Sequence, residues 1–397
     1  MEKAKRIFSI DVFRALTMLL MIFVNDFWTL KNVPLWLEHA ESNQDFLGLS
    51  DVVFPCFLFI LGMAIPFAIK NRIAKGDTPL QLVKHIITRS VALLIMGVFT
   101  ANATEINTQA TGMSSETFQI LMVMGFFLIW NVYPKADAFK SKIFLGLQII
   151  GVLILLTLAY IFKAGTDEHL IGMTPLWWGI LGLIGWTYLT AAIIYLFTYQ
   201  KKALLVFFFL FFNLLPIAGH AGLLQKIWAG GPSEWILANG AFFAFAFAGI
   251  LASILLEQFS KLENQYQLIG RYLLFGIVLI ILGFIARNFF IISKIQATPT
   301  WIFLCSGIAF IFFAIIYFLV DVKGKSDWFS SIKTAGTSTL TCYLIPYWYY
   351  GIADLSGITL PDFLTDGFVG LIKSLVYAFI VIGITALLGK LNVKLKI

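Results

Sequence analysis

The sequence predicts an all-α integral membrane protein, a polytopic bundle of about 12 transmembrane helices. Three observations carry that prediction. Apolar residues make up 60% of the 397-residue chain and charged ones 12%, too few polar side chains to cover a soluble protein of this size. Apolar stretches of bilayer length recur from one end of the chain to the other. Basic residues collect at the ends of those stretches, in alternate loops.

In order, the apolar runs cover about 7–28, 51–69, 85–101, 117–133, 143–162, 175–198, 203–219, 236–256, 271–291, 300–320, 334–350 and 367–389. A mean hydropathy of +0.90, 40 Phe and 11 Trp suit lipid-facing surfaces and interfacial belts. The start, Met1 to Arg6 before an apolar run, has the outline of a signal peptide. Asp11 and Arg14 interrupt its would-be apolar segment and no A-x-A site follows, so a retained first helix is expected. No loop is long enough to insert a soluble domain, and one transmembrane domain over 1–397 is expected.

One set of loops holds Lys3, Lys5 and Arg6, then Lys70, Arg72 and Lys75, then Lys135, Lys140 and Lys142, and continues through Lys201, Lys202, Lys261, Lys323, Lys325, Lys390 and Lys394. The alternate set holds only Lys31, Lys163, Lys226 and Lys294. This positive-inside bias predicts an inner-membrane-type protein with both termini cytoplasmic and outward loops at about 29–50, 102–116, 163–174, 220–235, 292–299 and 351–366. The net charge of +7 is then a topology signal, with lipid and not nucleic acid as the partner. Cys56, Cys305 and Cys342 lie in apolar runs without metal-ligand spacing and are expected to be buried hydrophobes, with no metal site.

Charges inside spanning helices cost about 2.5–3.5 kcal/mol each on insertion scales and call for a reason. Asp11 and Arg14, at i and i+3, fall on one helix face, where they can form a shallow ion pair or an anchor near a phosphorylated ligand's entry. The first helix ends outward in Asn25, Asp26 and Trp28, and the next opens with Ser50 and Asp51, both good N-caps. His39 lies between these two polar ends. A neutral imidazole there can accept a proton near pH 7, although a loop histidine can equally be just solvated. His85, His169 and His220 have ordinary headgroup, loop and helix-end settings. Asn102 to Glu116 is a polar outward stretch able to shape a substrate mouth, and Ser293–Lys294 sits near the outer end of the ninth run.

These residues carry a pattern. Ser9-Ile-Asp11-Val-Phe-Arg14-Ala, Met21-Ile-Phe-Val-Asn25, His39-Ala40 and Asp51-Val-Val-Phe-Pro55-Cys-Phe-Leu-Phe-Ile-Leu-Gly62 resemble the heparan-α-glucosaminide N-acetyltransferases and their bacterial transmembrane acyltransferase relatives. The likeness continues at Thr88-Arg89-Ser90, Ser293-Lys294, Thr298-Pro-Thr-Trp301 and Val320-Asp321-Val-Lys-Gly324. It is best over the first hundred residues and weak in the middle.

The resemblance implies acetyl-CoA as donor, a glucosamine amine as acceptor, the active-site histidine at His39 and its nearby asparagine at Asn25. With it, His39 is expected to act as base or as transient acyl carrier, Asp51 to orient His39 or bind a sugar hydroxyl, and Arg89, Arg14 and Asp11 to serve the coenzyme A phosphates. Asp26, Asn102 and Lys294 are expected on the acceptor. The large luminal domain of the animal enzymes has no counterpart, the loop from His220 to Glu234 is short, and a helix pair is added between 117 and 162. A small periplasmic amino sugar or cell-wall fragment is therefore the expected acceptor, and self-association as a homodimer stays open. Two other classes remain: a sugar or lipid transporter without chemistry, and an O-acetyltransferase of a surface glycan.

Overall fold

The computed structural model describes residues 7–134, 137–224, 239–260 and 264–397. Lys3, Lys5, Arg6, Lys135, Lys226 and Lys261 of the charge argument, and most of the loop from His220 to Glu234, lie outside the described residues. Among the described residues there are twelve long helices. They are α1 (Phe8–Asn25), α2 (Leu49–Ala74), α3 (Pro79–Asn102), α4 (Ser115–Trp130), α5 (Ala138–Ile161), α6 (Gly179–Thr198), α7 (Lys202–His220), α8 (Ala241–Ser260), α9 (Gln265–Ala286), α10 (Pro299–Tyr317), α11 (Thr339–Ser356) and α12 (Gly367–Lys390).

Each apolar run thus became a helix, and the protein is an all-α, multi-pass membrane protein. Ten of the helices are long and apolar enough to cross a membrane. The other two are α4, with 16 residues, and α11, which carries Pro346, several tyrosines and Asp354. The strands described are the short pair β1 (Ala164–Thr166) and β2 (His169–Ile171), antiparallel, with Gly165 opposite Leu170. All three cysteines are buried free thiols.

The chain forms two compact units, each built from two stretches: Met1–Ile87 with Trp186–Gly336, and Thr88–Gly185 with Thr337–Ile397. Hydrophobic burial does not pull helices together within hydrocarbon, so close packing and hydrogen bonds must. The first unit shows both. α2 and α8 touch through Gly62 and Gly249: a Cβ on Gly62 would collide with the Ala246 carbonyl, and one on Gly249 with that of Phe59. Alongside this crossing, the Ser253 hydroxyl donates to Met63 O at 2.7 Å and the Tyr272 hydroxyl to Ala252 O at 2.8 Å. Phe59 stacks edge-on against Phe310 (5.0 Å between centroids), and Phe313 against Tyr272 (5.4 Å). Such pairs add about 0.5–1.5 kcal/mol each beyond the area they bury.

Helix α1 opens without a capping side chain of its own. Asp321, in the π-helical turn Phe318–Val322 after α10, accepts from the N–H groups of Phe8 (3.1 Å) and Ser9 (3.0 Å). A carboxylate at this end also suits the helix dipole. In the second unit, α4 meets α5 at Gly125 and Gly151 and holds α11 through the Trp348 indole N–H, which donates to Ile120 O at 3.1 Å.

Candidate active site

Between α1 and α2 the chain makes a tight return that carries His39. Leu49 N–H donates to Trp36 O (2.9 Å), and the Ser50 hydroxyl donates to Leu37 O (2.6 Å). Gly48 passes so close to the Glu38 carbonyl that a Cβ would collide with it. The start of α2 leaves backbone N–H groups without helical partners, and a carboxylate at the third position can serve them. Asp51 does so with one oxygen: Oδ2 accepts from Gly48 N (3.3 Å) and from Ala40 N (3.0 Å).

Capping therefore uses only half of the carboxylate. Its other oxygen, Oδ1, lies 2.7 Å from Nδ1 of His39. The Asp51 side chain is 2% exposed and that of His39 50%. A carboxylate can only accept, so Nδ1 donates and the ring's lone pair is on Nε2. The result is a half-exposed imidazole, oriented from behind by a buried acid and able to take a proton or attack a carbonyl from its other nitrogen.

Lys294 joins this pair from the loop between α9 and α10. Its Nζ is 3.2 Å from His39 Nδ1 and 3.9 Å from Asp51 Oδ1. An Nδ1 that donates to Asp51 has no lone pair to offer an ammonium, so the 2.7 Å contact of His39 with Asp51 is the hydrogen bond and the lysine adds a charge beside the pair. Burial pushes the Lys294 ammonium below the ordinary lysine range, while the Asp51 charge pulls it back up.

The two loops are stapled to each other. Asp45 Oδ1 accepts from Ile292 N (2.7 Å) and Oδ2 from Arg287 Nε (2.9 Å). The Ser42 carbonyl accepts from the Ser293 hydroxyl (3.0 Å) and from Gln296 Nε2 (2.7 Å). Burial raises the Asp45 carboxyl, but the Ile292 N–H and the Arg287 guanidinium outweigh it and leave it below the usual carboxylate range. Such a group stabilises the fold above its unfolded pKa, and its contribution is lost as pH falls through the folded value. Asp45→Ala should lower the melting temperature at pH 7 by about 1–3 °C. The gap from the unaltered protein should close as pH falls below the usual carboxylate range and through the lowered folded value. A gap that persists unchanged in acid would show that the carboxylate charge is not the staple.

The other expected site residues are placed as follows. Asn25 is exposed at the end of α1, and Asp26 next to it is buried at the C-cap. Asp11 and Arg14 form the i, i+3 pair (3.4 Å), and Arg14 Nη1 also lies 3.3 Å from Gly336 O, which makes the pair an anchor of α1. Arg89 and Asn102 belong to the second unit. Asn102 is buried there, and its amide donates to Thr174 O (2.6 Å) and Val98 O (2.8 Å). That gives it a structural task, tying the end of α3 to the segment before α6. The structure thus brings together His39, Asp51 and Lys294, which lie up to 255 residues apart. The sequence assigned no role to Asp45 or to the partner of the Asp51 backbone, Trp301, whose indole N–H donates to Asp51 O at 3.0 Å. Pro55, four residues beyond Asp51, was the available signal for the second.

The family described as "Domain of unknown function (DUF5009)" matches residues 6–255. Heparan-alpha-glucosaminide N-acetyltransferase of Mus musculus is 32% identical over 105 residues, 25% of this chain and 15% of that protein. The Homo sapiens protein of the same name is 33% identical over 101 residues, 24% of this chain and 14% of its own. Matched in this way, the chain spans about one seventh of the length of these curated relatives.

Proposed function

The chain belongs to the DUF5009 family, and from that premise we propose that it is a membrane-embedded acetyltransferase. It moves an acetyl group from cytoplasmic acetyl-CoA to the amine of a small glucosamine-type sugar on the outer side of a bacterial inner membrane. The observation that carries this reading is the 2.7 Å contact between His39 Nδ1 and the buried Asp51 carboxylate, with Lys294 alongside. The partial similarity to two N-acetyltransferases supports it.

In this reading Nε2 of His39 takes the proton from the acceptor nitrogen as the C–N bond forms and the thioester C–S bond breaks. The proton then passes to the leaving thiolate, so the imidazole ends as it began. Asp51 holds the ring in that tautomer and supports the positive charge it briefly carries. Asn25, at the exposed end of α1, supplies a hydrogen-bond donor for the carbonyl oxygen as negative charge builds on it. Lys294 and Asp26 are assigned to the sugar. The Asp11–Arg14 pair is assigned to the donor's phosphates, for which a guanidinium offers a planar fork.

The test is to incubate the purified protein in nanodiscs with labelled acetyl-CoA and a panel of amino sugars. Mass spectrometry should find N-acetylated sugar together with stoichiometric free coenzyme A. O-acetyl esters as the sole product would move the reading to a hydroxyl acceptor. Sugar carried into proteoliposomes with no acetyl product would replace the enzyme with a transporter.

A further inference from the structure

In a regular helix the N–H of residue 55 donates to the carbonyl of residue 51. Residue 55 is proline, which has no N–H, so within α2 the Asp51 carbonyl loses its helical donor. It also lies in a buried site, where an unpaired carbonyl is costly. The carbonyl is not left unpaired. Trp301 of α10, fully buried, directs its indole N–H to it at 3.0 Å, and Cys305, one turn further along, brings Sγ to 3.8 Å of the same oxygen. The indole's orientation is fixed in turn. Phe245 of α8 packs edge-on against it, with centroids 5.0 Å apart and planes at 84°. Thr298 caps α10 by accepting from Trp301 N at 3.4 Å, with Pro299 at the first helical position.

We propose that Trp301 and Pro55 are positioning residues for His39: the indole takes the place of the helix donor that Pro55 lacks, and so sets the aim of the Asp51 carboxylate. Residue 51 is thereby held at both ends, its carbonyl by α10 and its carboxylate by Gly48, Ala40 and His39. Pro55 has a use in this arrangement beyond bending the helix. It opens an acceptor where a second helix can grip the acid that orients the imidazole. The kinetic part of the inference rests on the acetyl-transfer reading, and the structural part does not.

The test uses three variants of the full chain in nanodiscs: Trp301→Phe, Pro55→Ala and the pair together. ¹⁵N-labelled histidine reports the His39 tautomer, assigned by loss of signal in His39→Ala, with Asp51 and Lys294 as the charged groups facing the ring. In the unaltered protein the proton is expected on Nδ1. Trp301→Phe should reduce that tautomer and lower kcat about tenfold at unchanged KM. Adding Pro55→Ala restores a backbone N–H four residues after Asp51, and should recover both signals even though the indole is still missing. If Trp301→Phe leaves the tautomer unchanged, or if Pro55→Ala recovers nothing, Trp301 acts by packing alone and the inference falls. Should Trp301→Phe not fold, recovery of a folded, Nδ1-protonated protein by the double variant carries the test. A protein with no acetyl transfer at all, yet with the expected tautomer changes, would sink the function and keep the positioning.

Discussion

Replacing His39 by alanine is expected to lower acetyl transfer by about 10²–10⁴-fold, the usual worth of a positioned general base. Donor binding should be retained, since the deletion removes a half-exposed ring and leaves the capping of α2 by Asp51 in place. Asp51→Asn sharpens the point. Two backbone N–H groups, from Gly48 and Ala40, converge on Oδ2, so the single amide oxygen of an asparagine would turn toward them. Its NH₂ would then face Nδ1 and force the ring proton onto Nε2, the nitrogen that must be free. A loss approaching that of His39→Ala follows, of about 10³-fold. Comparable rates in wild type and His39→Ala, measured at saturating donor and acceptor, would end the role assigned to the imidazole.

The second large effect concerns the helix crossing beneath the site. Gly249→Val should leave little folded protein, because the new side chain meets the Phe59 carbonyl and Met63 N, and no rotamer can move backbone. Overpacking of ordinary cores costs about 1–3 kcal/mol, and a backbone clash in a close crossing belongs at or above the top of that range. Gly62→Val, which would press on Ala246 from the opposite helix, should fail in the same way. The control is Gly383→Ala in α12, where a Cβ meets nothing within 4 Å. That change should be neutral or stabilising by up to about 1 kcal/mol. The measurement is the fraction of protein still monodisperse in detergent after graded heating. Survival of Gly249→Val at the level of Gly383→Ala would mean that α2 and α8 do not need their close approach.

Much of the architecture is legible in the sequence alone. Each apolar run became a helix because a spanning segment must pair its own backbone groups, and only a helix does so within one segment. The legibility stopped at α4 and α11. Their runs were visible, but α4 has only 16 residues and α11 is rich in tyrosine, so neither matches the length and apolar character of the other ten. At the site, Asp51 was visible as a cap and His39 as a histidine between polar helix ends. Their hydrogen bond was not, because it depends on a loop whose path is set by the Gly48–Glu38 approach and the Ser50–Leu37 bond.

The sequence by itself determined the helical, membrane-embedded character of the chain, since hydrocarbon solvation acts on each segment independently of the others. It also held a local clue in Pro55, which removes a donor whatever the rest of the chain does. Only the tertiary structure decided that Trp301 supplies the replacement, that Lys294 stands beside His39, and that Asp45 holds their loops together. The reason is physical. Those contacts join residues more than two hundred positions apart, and no local periodicity or propensity encodes a partner across that distance.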